Sequence, residues 1–285
     1  MKNNNLSIFA NFCIDTEERY LRMVDSSKSF QNANIKSWCV NIRGKLKSKA
    51  KDYLQKNIKQ ELKIFHNESQ MGWVYDTQNL LNNLSTELIF IWVEDHICIK
   101  DVNIFNNIIN EMYENKIDYL KYTFFHNKAD IPKINYVNTN NTDNLHYFDL
   151  DIENYKKLEN GFNQDKIKPN YLLALPCIIS LNLFKKNLTI SKEKDKYEKF
   201  LPFNFERTFY EIEILPFRNS LLKSELFASI DDDKDIPDSS LIGRGIYKKR
   251  ENRNKMLDWR NKFHGYYSKQ NIFKKIFNFI KTKIK

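Results

Sequence analysis

One apolar run constrains this chain most: Glu87–Val93, ELIFIWV, which ends in Glu94-Asp95-His96. A run of this length is short for a helix and right for a strand. Its residues do not alternate between apolar and polar, so the strand needs cover on both faces, as in a parallel sheet with helices above and below. In open sheets of that kind, ligands settle outside the carboxyl ends of the strands. Glu94, Asp95 and His96 occupy such an end, and together they offer ligands for Mg²⁺ or Mn²⁺ with substrate phosphates completing the shell. Asp is also an ordinary turn former after a strand, and the tripeptide alone leaves that plainer role open.

The flanking sequence supplies the rest of such a sheet. Leu6–Phe12 reads as a strand, and Asp15 with Glu18 fits a capping box for a helix running to about Phe30. Ile35–Val40 is a second strand, ended by Arg43-Gly44. Lys47–Ile58 is a lysine-rich helix, Glu61–Phe65 a third strand and Trp73–Leu84 a helix. Asp101 is placed to cap a helix to Lys116 with Phe105, Ile108, Ile109 and Met112 facing inward, before a strand at Asp118–Phe125. Strand and helix alternate over this whole stretch, which predicts an α/β fold with crossover connections. Beyond about residue 130 the pattern loosens. Ile131–Asn144 reads as an Asn-rich surface loop, Tyr171–Phe184 as a second apolar block and Asp231–Ser240 as an acidic turn-rich segment. The organisation expected is an α/β half at 1–125, a less regular half at 126–247 and a basic tail at 248–285.

The charge is concentrated in that tail. The chain carries a formal +10, yet residues 248–285 hold thirteen Lys/Arg against Glu251 and Asp258, so the first 247 residues are nearly neutral. In the last stretch Ile272, Phe273, Ile276, Phe277, Ile280 and Ile284 recur at spacings of three and four among lysines. On a helix this is an apolar stripe flanked by positive charge, suited to an anionic bilayer surface. A helix docked on the protein's own core is the alternative. No zinc finger or RNP-like motif supports nucleic acid as a partner. The four cysteines form no CxxC and read as buried free thiols of a reducing compartment. No secretory signal and no membrane-spanning run is predicted.

Residues 6–125 resemble the GT-A fold glycosyltransferases, family 2-like. LSIFANFCIDTEERYLRMVDSSKSFQN looks like that family's opening, with Tyr20-Leu21 as its aromatic-leucine pair and Ser27 to Gln31 as its helix end. Asn67, Gly72 and Asn79 fall where the family places loop and helix residues before the strand that enters its DxD motif, and Glu94-Asp95-His96 stands at the DxD location. The departures are the missing proline of the first strand, Asn41-Ile42-Arg43-Gly44 in place of an acidic pair, and the altered DxD.

The resemblance implies a Rossmann-like, mostly parallel sheet flanked by helices, with 1–125 binding a nucleotide-sugar and 126–247 forming the acceptor side. It implies transfer of a sugar to a glycan or lipid-linked glycan acceptor, in bacterial surface polysaccharide synthesis, at the cytoplasmic face of the membrane. Asp95 would be the main contact to Mn²⁺ or Mg²⁺, supported by Glu94 and His96, with His264 a further metal ligand. Asp15, Glu17, Asn67, Glu68, Arg244 and Arg250 would hold the donor. An acidic residue of the second half would be the base, Glu206 first and Glu211 in reserve. For each there is a plainer role: Asp15 a helix cap, Asn67 a turn, Glu206 an ion-pair partner of Arg207, His264 a structural residue. A membrane-associated scaffold with a degraded metal site is the rival outside enzymology, and a nucleotidyltransferase the rival within it. The latter lacks the Gly/Arg/Lys-rich phosphate loop after the first strand.

The tail makes a direct prediction. Truncation after Gln270 abolishes co-sedimentation with anionic vesicles, and unchanged sedimentation would remove the anchor.

Overall fold

The computed structural model describes residues 6–67, 73–123, 132–166, 173–194, 212–231 and 240–248. In chain order these form β1 (Leu6–Cys13), α1 (Glu17–Phe30), β2 (Ser37–Arg43), α2 (Lys47–Asn57), β3 (Glu61–Phe65), α3 (Trp73–Leu81), β4 (Leu88–Ile91), β5 (His96–Cys98), α4 (Val102–Glu114) and β6 (Tyr119–Lys121). There follow α5 (Pro132–Tyr136), β7 (Asn140–Asn141), β8 (Leu145–Leu150), α6 (Ile152–Gln164), β9 (Cys177–Ser180), α7 (Leu181–Lys194), β10 (Phe217–Leu222) and β11 (Phe227–Ser229). Glu206, Glu211, Glu68, Gly72, Arg250, His264 and the amphipathic stripe at 272–284 lie outside the described residues.

Nine strands make one sheet in the order β3-β2-β1-β4-β9-β6-β10-β8-β7. β1 pairs in parallel with β2 on one side and β4 on the other, and β2 in parallel with β3. Only β8 and β9 run against the rest. The expected class is the observed one: α/β, with a Rossmann-like, mostly parallel central sheet flanked by helices. A separate antiparallel pair, β5 with β11, stands beside it.

Strand pleating divides the core in two. Ile8, Ala10 and Phe12 of β1 and Leu88 and Phe90 of β4 face α1, α2 and α4. Phe9, Ile89 and Ile91 face α3, α6 and α7. Leu88–Trp92 of the apolar run are therefore buried on both faces, although the ladder itself ends at Ile91. Phe30, the last residue of α1, centres the first core. It stacks on Trp38 at 5.6 Å and meets Phe90, Trp92 and Phe227 at 5.2–5.9 Å.

Three expectations change. Thr16, not Asp15, caps α1, its side chain accepting from the Arg19 N–H at 3.2 Å. Ile131–Asn144 is not wholly a loop: it holds α5 and the edge strand β7. Contacts far along the chain order it, namely Tyr136 edge-on to Phe162 and Glu111 accepting from Thr142 Oγ1 and Asn144 Nδ2. The strand after Asp118 is short, Tyr119–Lys121. The helix at 102–114 is as expected, with Asp101 as its cap and Phe105, Ile108, Ile109 and Met112 buried. All four cysteines are free; Cys39, Cys98 and Cys177 are buried.

Phe30→Ala removes a side chain packed against four aromatic rings. It should cost about 3–5 kcal/mol of unfolding free energy, read from urea denaturation.

Candidate active site

The chain builds outward from β1 twice, first to β2 and β3 and later to β4 on the opposite side. That reversal is a topological switch point. In sheets of this kind the crevice at such a switch point, outside the carboxyl ends of the strands, is the usual place for a ligand. The β1 loop carries Cys13, Asp15 and Thr16. The β4 loop carries Glu94 and Asp95.

Arg19 spans the two loops. Its Nη1 donates to the Cys13 carbonyl at 2.9 Å, and its Nε lies 3.9 Å from Glu94 Oε1. Asp95 turns to His96, whose Nδ1 donates to Oδ1 at 2.7 Å. The His96 ring is buried and edge-on to Tyr122 at 5.7 Å, and the Tyr122 hydroxyl donates to the Ile91 carbonyl. His96 is thus held by the core and orients its neighbour. The Asp95 side chain remains 42% exposed although desolvation by surrounding protein is the largest influence on its charge. Asp95 is thus crowded by protein and still open to water at the rim of the sheet.

The two adjacent carboxylates are driven apart. Burial pushes Asp95 up, but the His96 ring, by charge and by hydrogen bond, and then Arg22 and Arg19 together hold it below the ordinary carboxylate value. Burial pushes Glu94 up; Arg19 pulls it down, and the charge on Asp95 adds to the push, leaving it above its ordinary value. Of the pair, Asp95 is the member held toward its charged form and Glu94 the more readily protonated.

Other expected site residues have definite partners. Asp15 is exposed; its Oδ1 accepts from the Lys45 N–H at 3.1 Å and its Oδ2 from Cys13 Sγ at 3.1 Å. Burial and then Asp15 push the Cys13 thiol up to about 11, so it is no nucleophile at neutral pH. Gly44 allows the β1 and β2 loops to touch: at φ +97° a side chain is strained, and a Cβ would sit 2.7 Å from Asp15 Oδ1 and from the Ile14 carbonyl. Glu17 pairs with Lys49 at 2.5 Å, on the exposed side of α1. Asn67 is exposed, and its backbone N–H donates to Asn41 Oδ1 at 2.9 Å. Asn41 in turn donates to Asn11, and Asn11 to Thr77 Oγ1, each at 3.0 Å, a buried amide chain beneath the rims of β1 and β2. Arg244 makes a two-bond fork with Glu225, both at 2.7 Å, in the turn after Ser240.

Glu94 and Asp95 lie in the loop after β4 and Asp15 in the loop after β1, the two loops joined by Arg19, while Arg244 is engaged at Glu225. Arg19, Arg22 and Asp231 were not singled out from sequence. Glu18 and Arg22 stand four apart on the helix, a pairing that spacing could have suggested, but their burial could not be read from it.

A divalent metal at this site would have to share its shell with a ligand. Mg²⁺ and Mn²⁺ at phosphates are commonly held by one or two carboxylates plus substrate oxygens. An open, ionised Asp95 suits that arrangement. Among the described residues no group of three His, Cys, Asp or Glu side chains could hold an ion, so these residues supply no closed protein cage.

No protein-family model matches the sequence. No curated protein matches it either. Solved structures do match in shape. The crystal structure of S. aureus TarS 1-349 aligns at 11% identity and TM-score 0.46, over 79% of this chain and 60% of that one. A mannosyltransferase, PcManGT from Pyrobaculum calidifontis in complex with GDP-Man and Mn²⁺, aligns at 8% identity and TM-score 0.35, over 46% and 39%. Core-mannan synthase A from Aspergillus fumigatus, in its Mn/GDP form, aligns at 9% identity and TM-score 0.37, over 76% and 71%. The chain thus spans about three fifths of the TarS structure that it matches.

Because Glu94 gains protons more readily when folded, its contribution to stability falls as pH rises from the ordinary carboxylate value through its raised one. Glu94→Gln should therefore raise Tm above wild type at pH 7–8 and lose that advantage below about pH 4. Thermal melts across this range test it.

Proposed function

We propose that this chain is a glycosyltransferase that moves a sugar from a nucleoside diphosphate to a hydroxyl of a glycan acceptor. The observation that carries it is Asp95: a solvent-open carboxylate, held toward its charged form, in the loop after β4 at the switch point between β1 and β4. The resemblance of residues 6–125 to GT-A glycosyltransferases supplies the chemistry for that position.

In this reading the donor lies across the crevice, its nucleoside toward the rims of β1 and β2 near Asp15, Asn67 and Glu68, and its diphosphate toward Asp95. Bound Mn²⁺ or Mg²⁺, held by Asp95 and the donor's own phosphate oxygens, would offset the charge of the leaving diphosphate. His96 keeps Asp95 ionised and turned outward. Glu94, closed by Arg19, supports the turn. Arg19 adds a fixed positive charge on the crevice wall, where electrostatic stabilisation acts on developing negative charge. The acceptor hydroxyl loses its proton to a carboxylate of the second half, for which Glu206 is the choice and Glu211 the reserve. Arg250 and His264 are assigned to the diphosphate side on sequence grounds alone. Among the described residues no helix is long and apolar enough to cross a membrane. Attachment through the basic tail to an anionic membrane surface, on its cytoplasmic face, would bring the crevice to a lipid-linked acceptor of surface polysaccharide synthesis.

Calorimetric titration of the full chain with UDP and with GDP, with Mn²⁺ and with EDTA, tests this. One nucleotide should bind, and Asp95→Ala should weaken it roughly tenfold, about 1.4 kcal/mol, in a protein that is still folded by circular dichroism. Binding of neither nucleotide under either condition would sink the assignment, as would an Asp95→Ala variant that binds like wild type.

A further inference from the structure

Helix α1 turns a buried polar stripe toward the chain that follows β4. At spacings of four, four and three it carries Glu18, Arg22, Ser26 and Ser29. Ser26 Oγ donates to the His96 carbonyl at 2.5 Å and accepts from the Trp92 indole at 2.9 Å. Ser29 Oγ accepts from the Cys98 N–H at 2.9 Å. These neutral hydroxyls hold the chain on either side of the Glu94-Asp95 turn.

The other half of the stripe is charged. Arg22 is 5% exposed; its Nε donates to Glu18 Oε1 at 2.8 Å and its Nη2 to Asp231 Oδ2 at 3.4 Å. Asp231 follows β11, whose partner β5 begins directly after Asp95, and the Ile230 N–H donates to the Asp95 carbonyl at 2.7 Å. The guanidinium therefore stands at the junction of α1, the Asp95 turn and the returning chain, and Asp95 is among the charges acting on it. Burying such an ion pair is a poor way to gain stability, since well-packed apolar residues commonly serve as well or better. The serines show that this segment can be held without charge. The knot is also short of donors: Glu18 Oε2 and Asp231 Oδ1 are buried with no hydrogen-bond partner among the described residues.

We propose that Arg22 is a positioning residue for Asp95. Its guanidinium gathers Glu18 and Asp231 beneath the turn so that the Asp95 carboxylate stays directed to His96 and the crevice; this rests on Asp95 being the diphosphate-side carboxylate. Arg22 itself touches no ligand. Without its charge, three carboxylates would be left to repel one another around the turn, and the seat of Asp95 would be lost while the hydroxyls still held the strand.

The test is calorimetric binding of Mn²⁺ with UDP, and of Mn²⁺ with GDP, to the full chain. Arg22→Met should weaken the nucleotide that binds by tenfold or more, and Arg22→Lys, which restores charge without the fork, should recover part of the loss. Met112→Ala, a cavity in α4 with no part in the charged stripe, serves as a control matched for lost Tm and should bind like wild type. Wild-type affinity in Arg22→Met overturns the proposal, as does an equal loss in Met112→Ala. If Arg22→Met does not fold, Arg22→Lys decides: a folded protein with at least a threefold loss supports the role, and wild-type binding rejects it. Asp95→Ala run in parallel separates the two levels. Unchanged binding there removes Asp95 from the site, whereas weakened binding there with wild-type binding in Arg22→Met removes only Arg22.

Discussion

β1 pairs in parallel with a neighbour on each side, and the site depends on that double pairing. A strand with a parallel neighbour on both edges and a helix layer on both faces has no surface left for water, which is why Leu6–Phe12 is nearly all apolar. Because β2 and β4 lie on opposite sides of it, the strand order reverses at β1, and the loops after β1 and β4 share the rim at that switch point.

Helix α1 gives that rim its electrostatic environment. One face packs Met23, Val24 and Phe30 into the aromatic core. A neighbouring stripe supplies the hydroxyls and the guanidinium that clamp the chain after β4, and Arg19 in its first turn reaches both loops. A single helix therefore sets the height of the Glu94-Asp95 turn and the charge around it. The outcome is two adjacent carboxylates with opposite tendencies, one held ionised and open, the other closed against Arg19 and more easily protonated. Such a difference between neighbours is typical of sites where charge is to be managed.

Much of this was legible in the residue pattern. The apolar run at 87–93 announced a doubly covered strand, the inward face of 102–114 was read residue by residue, and Glu61–Phe65 was placed as it stands. These are cases where local periodicity and burial agree. Misreadings arose where distant contacts decide. The capping role went to Asp15 because Asp15 and Glu18 have the right spacing, yet Asp15 is drawn off by the Lys45 N–H of the neighbouring loop, leaving Thr16 to cap. The Asn-rich stretch at 131–144 reads as loop until Phe162 and Glu111 give its ring and amides partners.

Sequence alone determined that a carboxylate-bearing turn would follow a buried strand in an α/β sheet, because burial on both faces leaves its mark in composition at every position of the strand. Only the tertiary structure decided which carboxylate is open and charged, that His96 serves Asp95, and that Arg22 and Asp231, 209 residues apart, meet beside them. Those outcomes depend on distances between groups that chain order does not encode, and Coulomb energy and desolvation are functions of those distances.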